Sequence, residues 1–415
     1  QLASFSPGQI ASLTTVQLAS LSSSQTRAFT VNQIKALTSD QIGALETEDI
    51  TVFSTAQIAA ISSAQINGLT TTQIAGLSTS QVKSLTTAQI RALSQEQIAG
   101  IETVDIPVLS TAQLAAITTA QVTGLTSDQL GALTTTQLKA LATTQLAAMS
   151  PEQIASFSNE RLALLTTSQI AGLTTSQIAS GLTTEQLNAL TSAQIAALTT
   201  GQIAALTTDQ LAGTAGSLLP KLSAAQIKSL TSEQLATVGS DIIAGLATSQ
   251  VAALTTEQVV TLATSQIQAL TTSQIQALTT SQIGALNTDQ IGALETEDSA
   301  ALTSQQLAAF TTDQIASLSA EKMSQIFFDR IESLTSAQIA ALTTTHIDAI
   351  STEQIQALTG TQIKALSTEQ LSAFGSEDWV ALTSSQIAAM TAEQISYLSA
   401  SQLTGFSTSQ IQALT

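Results

Sequence analysis

The one histidine of this 415-residue chain, His346, stands two residues from Asp348, and there is no cysteine. A general acid or base needs a partner and a pocket to tune it. His346 instead sits inside a phrase, Thr343-Thr344-Thr345-His346-Ile347, whose other copies carry Gln at the same place. The expectation is a histidine standing in for that Gln. Acids cluster around Asp49, Asp105, Asp298 and Asp378, with Glu46-Thr47-Glu48-Asp49 and Glu295-Thr296-Glu297-Asp298 almost the same run. Their oxygens suit a hard cation such as calcium, but the spacing matches neither an EF-hand loop nor a G-G-x-G-x-D run. Solvated acids at helix starts account for them better. Thr-Thr and Thr-Ser pairs recur along the chain and offer a hydroxyl array to a sugar, ice or mineral surface, although one hydroxyl of each pair is wanted as a helix cap. Contact with calcium or a glycan is left open. With no phosphate-binding glycine loop, nucleophile elbow, zinc motif or long basic stretch, the chain is expected to be no enzyme and to take no cofactor.

The element that positions all these residues is an octad, L-[ST]-[ST]-x-Q-I-x-[AG], as in Leu69-Thr70-Thr71-Thr72-Gln73-Ile74-Ala75-Gly76. It recurs in about 52 copies, the mark of a solenoid whose units cannot fold alone. Numbered from its Leu, position two (Thr or Ser) and position five (Gln) make the S/T-x-x-Q capping box, while Leu at one and Ile at six have the spacing of a hydrophobic staple. Asp40, Glu96, Asp128, Glu152 and Asp289 at position four meet the positive end of the helix dipole, and Pro7 and Pro151 occupy the first helical position. Each octad therefore restarts a helix. Eight residues turn an α-helix by roughly 800°, so a continuous helix would rotate its apolar seam away, and the chain must bend at every Leu-Thr junction. Such short helices persist only by stacking on neighbouring coils. The alternative is a β-solenoid with a Gln ladder, for which Thr, Ile and Val speak. Against it, Leu at one and Ile at six would face opposite sides of a strand. On the helical reading Gln73→Ala removes one capping box, on the order of 1 kcal/mol, and Ile74→Asp costs several kcal/mol by burying a charge.

Residues 1–415 read as one continuous array, probed by few irregularities. One residue is added near Gly181, where an elbow is expected to absorb it, and residues 214–221 are degenerate but in step. Gln1 and Thr415 fall inside the repeat pattern, which suggests an excerpt of a longer protein. The Gln position is taken by Asp49, Asp105, Arg161, Leu218, Ile242, Asp298, Lys322 and Asp378, at gaps of seven and three octads, and also by Arg330 and His346, which do not fit those gaps. Such gaps follow if about 3.3 to 3.5 octads make a coil, so that these eight residues mark one stripe used in assembly. Duplication of a 56-residue block gives the same spacing. Pro107 and Pro220 fall mid-helix, in octads of this group, where the helix is expected to distort.

Composition narrows the function classes. The chain is 43% hydrophobic with 3% aromatic residues, so the core is built from thin layers of Leu, Ile and Ala. Phe327, Phe328, Trp379 and Tyr397 are expected to fill gaps rather than to mark a neighbouring chain. A net charge of −18 argues against nucleic acid, since so few Lys and Arg cannot displace phosphate counterions. Apolar runs are interrupted in every octad, so no membrane insertion is expected.

The phrase Thr87-Ala88-Gln89-Ile90-Arg91-Ala92-Leu93 resembles low-complexity repeat regions of very large secreted bacterial surface proteins of the adhesin-like kind. The resemblance covers essentially the whole chain and implies an extracellular or cell-surface location and attachment. It supplies no catalytic or binding residues. The expected function is a structural subunit of an extracellular filament, sheath or surface layer that self-associates into a homopolymer. The alternative is an adhesin stalk or ligand-binding array that projects a separate binding domain.

Overall fold

The computed structural model describes residues 2–327 and 329–414. Phe328, Gln1 and Thr415 lie outside them. Nearly every octad forms one helix of four to six residues, for example Thr71–Ala75, Thr79–Ser84 and Thr87–Ala92. Among the described residues there is no strand, so the fold is a helical solenoid and the β-solenoid alternative is excluded.

Each helix starts as its sequence dictates. Thr70 is extended (φ −71°, ψ 159°), its hydroxyl accepts from the Gln73 amide N–H at 3.1 Å, and Gln73 Oε1 accepts from the Thr70 N–H at 2.7 Å. The helix ends one turn later at the next Leu. At Leu85 (φ −57°, ψ 131°) and Thr86 (φ −75°, ψ 157°) the backbone is extended, and two such residues turn the chain into the next helix. Among the described residues none has positive φ, so the elbow asks for no glycine. Glycine serves close approach instead: a methyl group on Gly68, at position eight, would fall on the carbonyl oxygen of Ser39, and one on Gly43, at position seven, on that of Gly68.

The octad has a fixed inside and outside. Ile74 and Leu69 are 1% and 3% exposed, while positions two, three and four face solvent. Burying each such Ile or Leu is worth roughly 1.5–3 kcal/mol, which a single six-residue helix could not supply from its own hydrogen bonds.

Helices stack three octads apart, Thr79–Ser84 on Thr55–Ala60 for instance. Gln97 Nε2 reaches the carbonyls of Leu69 and Ile66, 28 and 31 residues back. The coil therefore closes in about three and a half octads, within the expected range.

The chain divides into two compact units, Gln1–Thr214 and Ala215–Thr415. In the first, Thr103–Val108 is a 3₁₀ helix, the distortion expected around Pro107. The added residue near Gly181 is absorbed inside a helix and not at an elbow: Gln177–Gly181 forms a π-turn. An elbow is only two extended residues held between pinned helices, whereas one i→i+5 turn takes up a residue without moving either flank. A Cβ on Gly181 would come within 2.9 Å of the Pro151 oxygen, so the bulge needs Gly there. The coil keeps its contacts across it, since Gln194 reaches Leu165 and Leu162 at separations of 29 and 32. In the second unit Leu219–Lys221 is 3₁₀ and Ala320–Phe327 extends to eight residues. Helix Thr208–Leu218, of 11 residues, runs through positions that elsewhere hold an elbow.

Candidate functional site: the glutamine column between coils

The side chain that most shapes this molecule is the position-five Gln, and it does more than cap. Gln73 is 2% exposed. While Oε1 closes the capping box, Nε2 donates to Leu45 O at 2.6 Å and Gly43 O at 3.3 Å on the preceding coil. Gln121 repeats this with Leu93 O at 2.6 Å and Ile90 O at 2.8 Å. These carbonyls lie at the end of a short helix and in its elbow, where helical partners run out: Ile90 O keeps only the Leu93 N–H, at 3.3 Å. Each Gln thus starts its own helix and finishes one on the coil behind. The expectation of about 1 kcal/mol for Gln73→Ala counted only the box; it is too small because the substitution also strands buried carbonyls, each costing about 1–3 kcal/mol.

Octads without a hydroxyl separate the two roles. Ala142 cannot accept from the Gln145 N–H, yet Gln145 still accepts from the Ala142 N–H at 2.9 Å and donates to Leu114 and Ile117 O, each at 2.8 Å. The hydroxyl is dispensable there, and the bonds of the Gln to its own helix start and to the coil behind remain.

The residues that replace Gln satisfy the same elbow by other chemistry. Arg161 Nη2 donates to Leu130 O at 2.9 Å, its guanidinium lies 6.0 Å from the Phe157 ring centre, and burial holds its pKa below the usual guanidinium value. Lys322 Nζ donates to Leu294 O at 2.5 Å, and burial lowers its pKa too. Arg330 donates to Leu302 O, to Ser299 O at 3.2 Å and to Ile326 O at 3.0 Å. His346 takes the part most faithfully: Nδ1 accepts from the Thr343 N–H at 3.2 Å, as Gln Oε1 would, and Nε2 meets Leu318 O at 2.8 Å. With both nitrogens so engaged, the ring carries its hydrogen on Nε2. It is 2% exposed.

The aspartates invert the bond. A carboxylate cannot donate to a carbonyl, and Asp49, Asp105 and Asp298 are each met by a threonine hydroxyl from the coil behind. Thr26 Oγ1 donates to Asp49 at 3.1 Å, Thr79 to Asp105 at 2.6 Å, and Thr272 to Asp298 at 3.1 Å. Asp378 accepts from the Gly375 N–H at 2.9 Å, and partial burial raises its pKa. Leu218 is buried at a helix end, and Ile242 is half-buried beside Gly216.

Of the eight residues expected to mark an assembly stripe, Asp49, Asp105, Leu218 and Asp298 are buried and the others partly so. Asp49, Asp105, Arg161, Asp298 and Lys322 bond to the coil behind, so these five side chains serve the stacking of coils. The structure does bring two of them together: Lys322 bonds to Leu294, which opens the octad that contains Asp298, while Arg330, outside the eight, bonds to Ser299 and Leu302 at its other end. Among the described residues no group of three or more Asp, Glu or His is placed to hold a metal ion, and no helix is long and apolar enough to cross a membrane. Phe327 stacks edge-on to Phe310 at 6.1 Å and Trp379 lies 5.3 Å from Phe374, both as core fillers, whereas Tyr397 is exposed.

The sequence pattern of the ALTTAQ repeat matches residues 15–45, 42–79, 98–135, 129–159, 180–213, 261–296, 291–325, 331–360 and 360–392, well over half of the chain. The degenerate residues 214–221 fall between matches. No curated protein matches the chain.

Proposed function

Because the chain belongs to the ALTTAQ repeat family, we propose that it is a structural subunit of an extracellular bacterial filament, sheath or surface layer, assembled through contacts between solenoids. The observation that carries this reading is the polarity of the coil. One side of each coil presents Gln amide N–H groups and the other presents pairs of elbow carbonyls, as Gln121 and the pair Ile90 and Leu93 illustrate. The contact that stacks coils within a molecule is complementary and repeated, so coils of separate molecules can meet by the same bonds. The extracellular, bacterial setting draws on the resemblance of the repeat, and a cysteine-free, acidic chain is compatible with it. Electron microscopy of native material should show ordered filaments or sheets containing this chain. Dispersed monomers alone would overturn the reading.

A second reading, an adhesin stalk or ligand-binding array, draws on the exposed hydroxyl-bearing residues at positions two to four, such as Thr70, Thr71 and Thr72. It expects isolated rods carrying a globular head in the same micrographs. Neither reading gives the chain a catalytic role, since His346 is spent on holding two coils together.

A further inference from the structure

The exposed charges of residues 1–214 follow a rule that the octad alone does not impose. Arg27, Lys35, Lys83, Arg91 and Lys139 all stand at position seven and all are exposed; the one other cation of the unit, Arg161, is in the Gln column. Arg27 to Lys83, Lys83 to Lys139 and Lys35 to Arg91 are each steps of 56 residues. That is twice the 28-residue separation fixed by the Gln bonds, so members of each series lie on one side, two coils apart. At roughly 9–10 Å per coil the spacing along the unit is about 18–20 Å.

The acids keep the same period elsewhere on the circumference. Asp40, Glu96 and Glu152 are exposed at position four, again 56 residues apart, and Glu48 and Glu160 stand in the octads that follow the first and last of them. Asp128, 32 residues beyond Glu96, falls between these two columns. The midpoint of Asp40 and Glu48 lies about 13 residues past the midpoint of Arg27 and Lys35, close to half of a coil. The basic and acidic stripes therefore run along opposite sides of the unit. The helix dipole explains why acids stand near helix starts and bases near helix ends, but every octad has both ends. It does not explain why each sign is confined to one side. In the second unit that confinement is absent: the exposed pairs Asp241 and Glu257, and Glu353 and Glu369, are each 16 residues apart, more than half a coil.

We propose that the basic stripe of residues 1–214 docks on the acidic stripe of the same segment in a second copy, so that molecules associate side by side. The proposal rests on the structural reading above and names its lateral contact. Opposite faces of one molecule cannot neutralise each other, whereas two parallel copies bring them together with the same axial repeat. The contact is heterologous and leaves a free stripe on each outer side, so it builds rows that do not close. With a net charge of −18, copies repel in other orientations, which makes charge complementarity the selector of this one. Single exposed ion pairs are weak, so the contact depends on the whole array and on low screening.

The test is sedimentation velocity and light scattering on the full chain at low salt and in about 0.5 M NaCl, where the Debye length is roughly 4–5 Å. One variant carries Glu at Arg27, Lys35, Lys83, Arg91 and Lys139; a second carries Lys at Asp40, Glu48, Glu96, Glu152 and Glu160. The parent should associate at low salt and dissociate in high salt. Each variant alone should lose at least tenfold in association constant, and the two mixed should regain it; circular dichroism checks that each stays folded, since Lys at Glu96, Glu152 and Glu160 also removes acids that favour those helix starts. Assembly by both variants as by the parent would sink the stripe contact and leave the structural reading standing. A parent that stays monomeric at every concentration, with no ordered assemblies in native material, would sink both.

Discussion

Residues 1–214 and 215–415 are built from the same octad but obey it differently. Beyond the first three octads the first unit departs from Gln at Asp49, Asp105 and Arg161; the second departs at Leu218, Ile242, Asp298, Lys322, Arg330, His346 and Asp378. The second also places Ser299 and Trp379 in the Ile column, where the first has Thr26. Yet both keep their coils. Lys322, Arg330 and His346 each bond to the carbonyl 28 residues back that a Gln would have taken. At most irregular octads the elbow still meets a donor, or a carboxylate matched to a hydroxyl; Leu218, Ile242 and Asp378 show that a coil tolerates the lack of both.

The comparison is broken most severely in the regular unit. Ile74→Asp places a carboxylate in a column sealed on all sides and should cost several kcal/mol, unfolding at least the coils around it. Gln73→Ala should cost about 2–3 kcal/mol, since it removes half of a capping box and two bonds to the coil behind. Hydrogen exchange followed by mass spectrometry should show lost protection in the helix Thr71–Ala75 and in residues 43–45, one coil away. Protection lost only within Thr71–Ala75 would mean that the inter-coil bonds contribute nothing.

Most of this fold was legible because the octad states it redundantly. Cap, box, staple and acid placement all point to a helix restarted every eight residues, and the gaps of seven and three among irregular octads give the coil its size. The second role of Gln was missed, and a signal was present. A capping box is served by Glu as well as by Gln, since it needs only an acceptor. A column that is Gln almost throughout and never Glu is asking for the N–H donor that Glu lacks. The site of the added residue was misplaced for a different reason: sequence shows that a residue is extra, but only the pinning of both helix ends by inter-coil bonds makes the helix interior the softer place. The buried setting of Asp49 and Asp105 was hidden because their matching hydroxyls, on Thr26 and Thr79, come from the coil behind.

The two polar intrusions in the Ile column sharpen the contrast, because removing a hydroxyl should have opposite signs in the two units. Thr26 is matched, donating to Asp49. Thr26→Val keeps the shape but leaves a buried carboxylate short of a donor, and should destabilise the first unit by about 2 kcal/mol. Ser299 is fully buried and its hydroxyl has no partner. Ser299→Ala should stabilise the second unit by about 1 kcal/mol, because a desolvated polar group is removed and no bond is broken. Segment-resolved hydrogen exchange reads both; the same sign for the two would refute the matched pairing of Thr26 with Asp49.

The smallest expected difference is in the response to acid. Glu96, Glu152, Glu160 and Glu185 in the first unit are held below the usual carboxylate range, first by their own backbone amides and then by the capping Ser or Thr hydroxyls; in the second unit Glu353 is held so. A carboxyl whose folded pKa is lowered contributes its full stabilisation above its unfolded value, about 4.3, and loses it as pH falls through the folded value. Asp378 has the opposite sign. Burial raises its folded pKa, so its ionised form weakens the fold at neutral pH, and that penalty fades as pH falls below the raised value. Taking the protein from about pH 6 to pH 3 should therefore loosen the helices Gln95–Ala99 and Pro151–Ala155 while slightly steadying Ser376–Ala381. Exchange rates corrected for the intrinsic pH dependence of the amides would show this as a loss of protection in the first two helices and none, or a gain, in the third. A loss of equal size in all three would mean that acid acts through general charge imbalance and not through these helix starts.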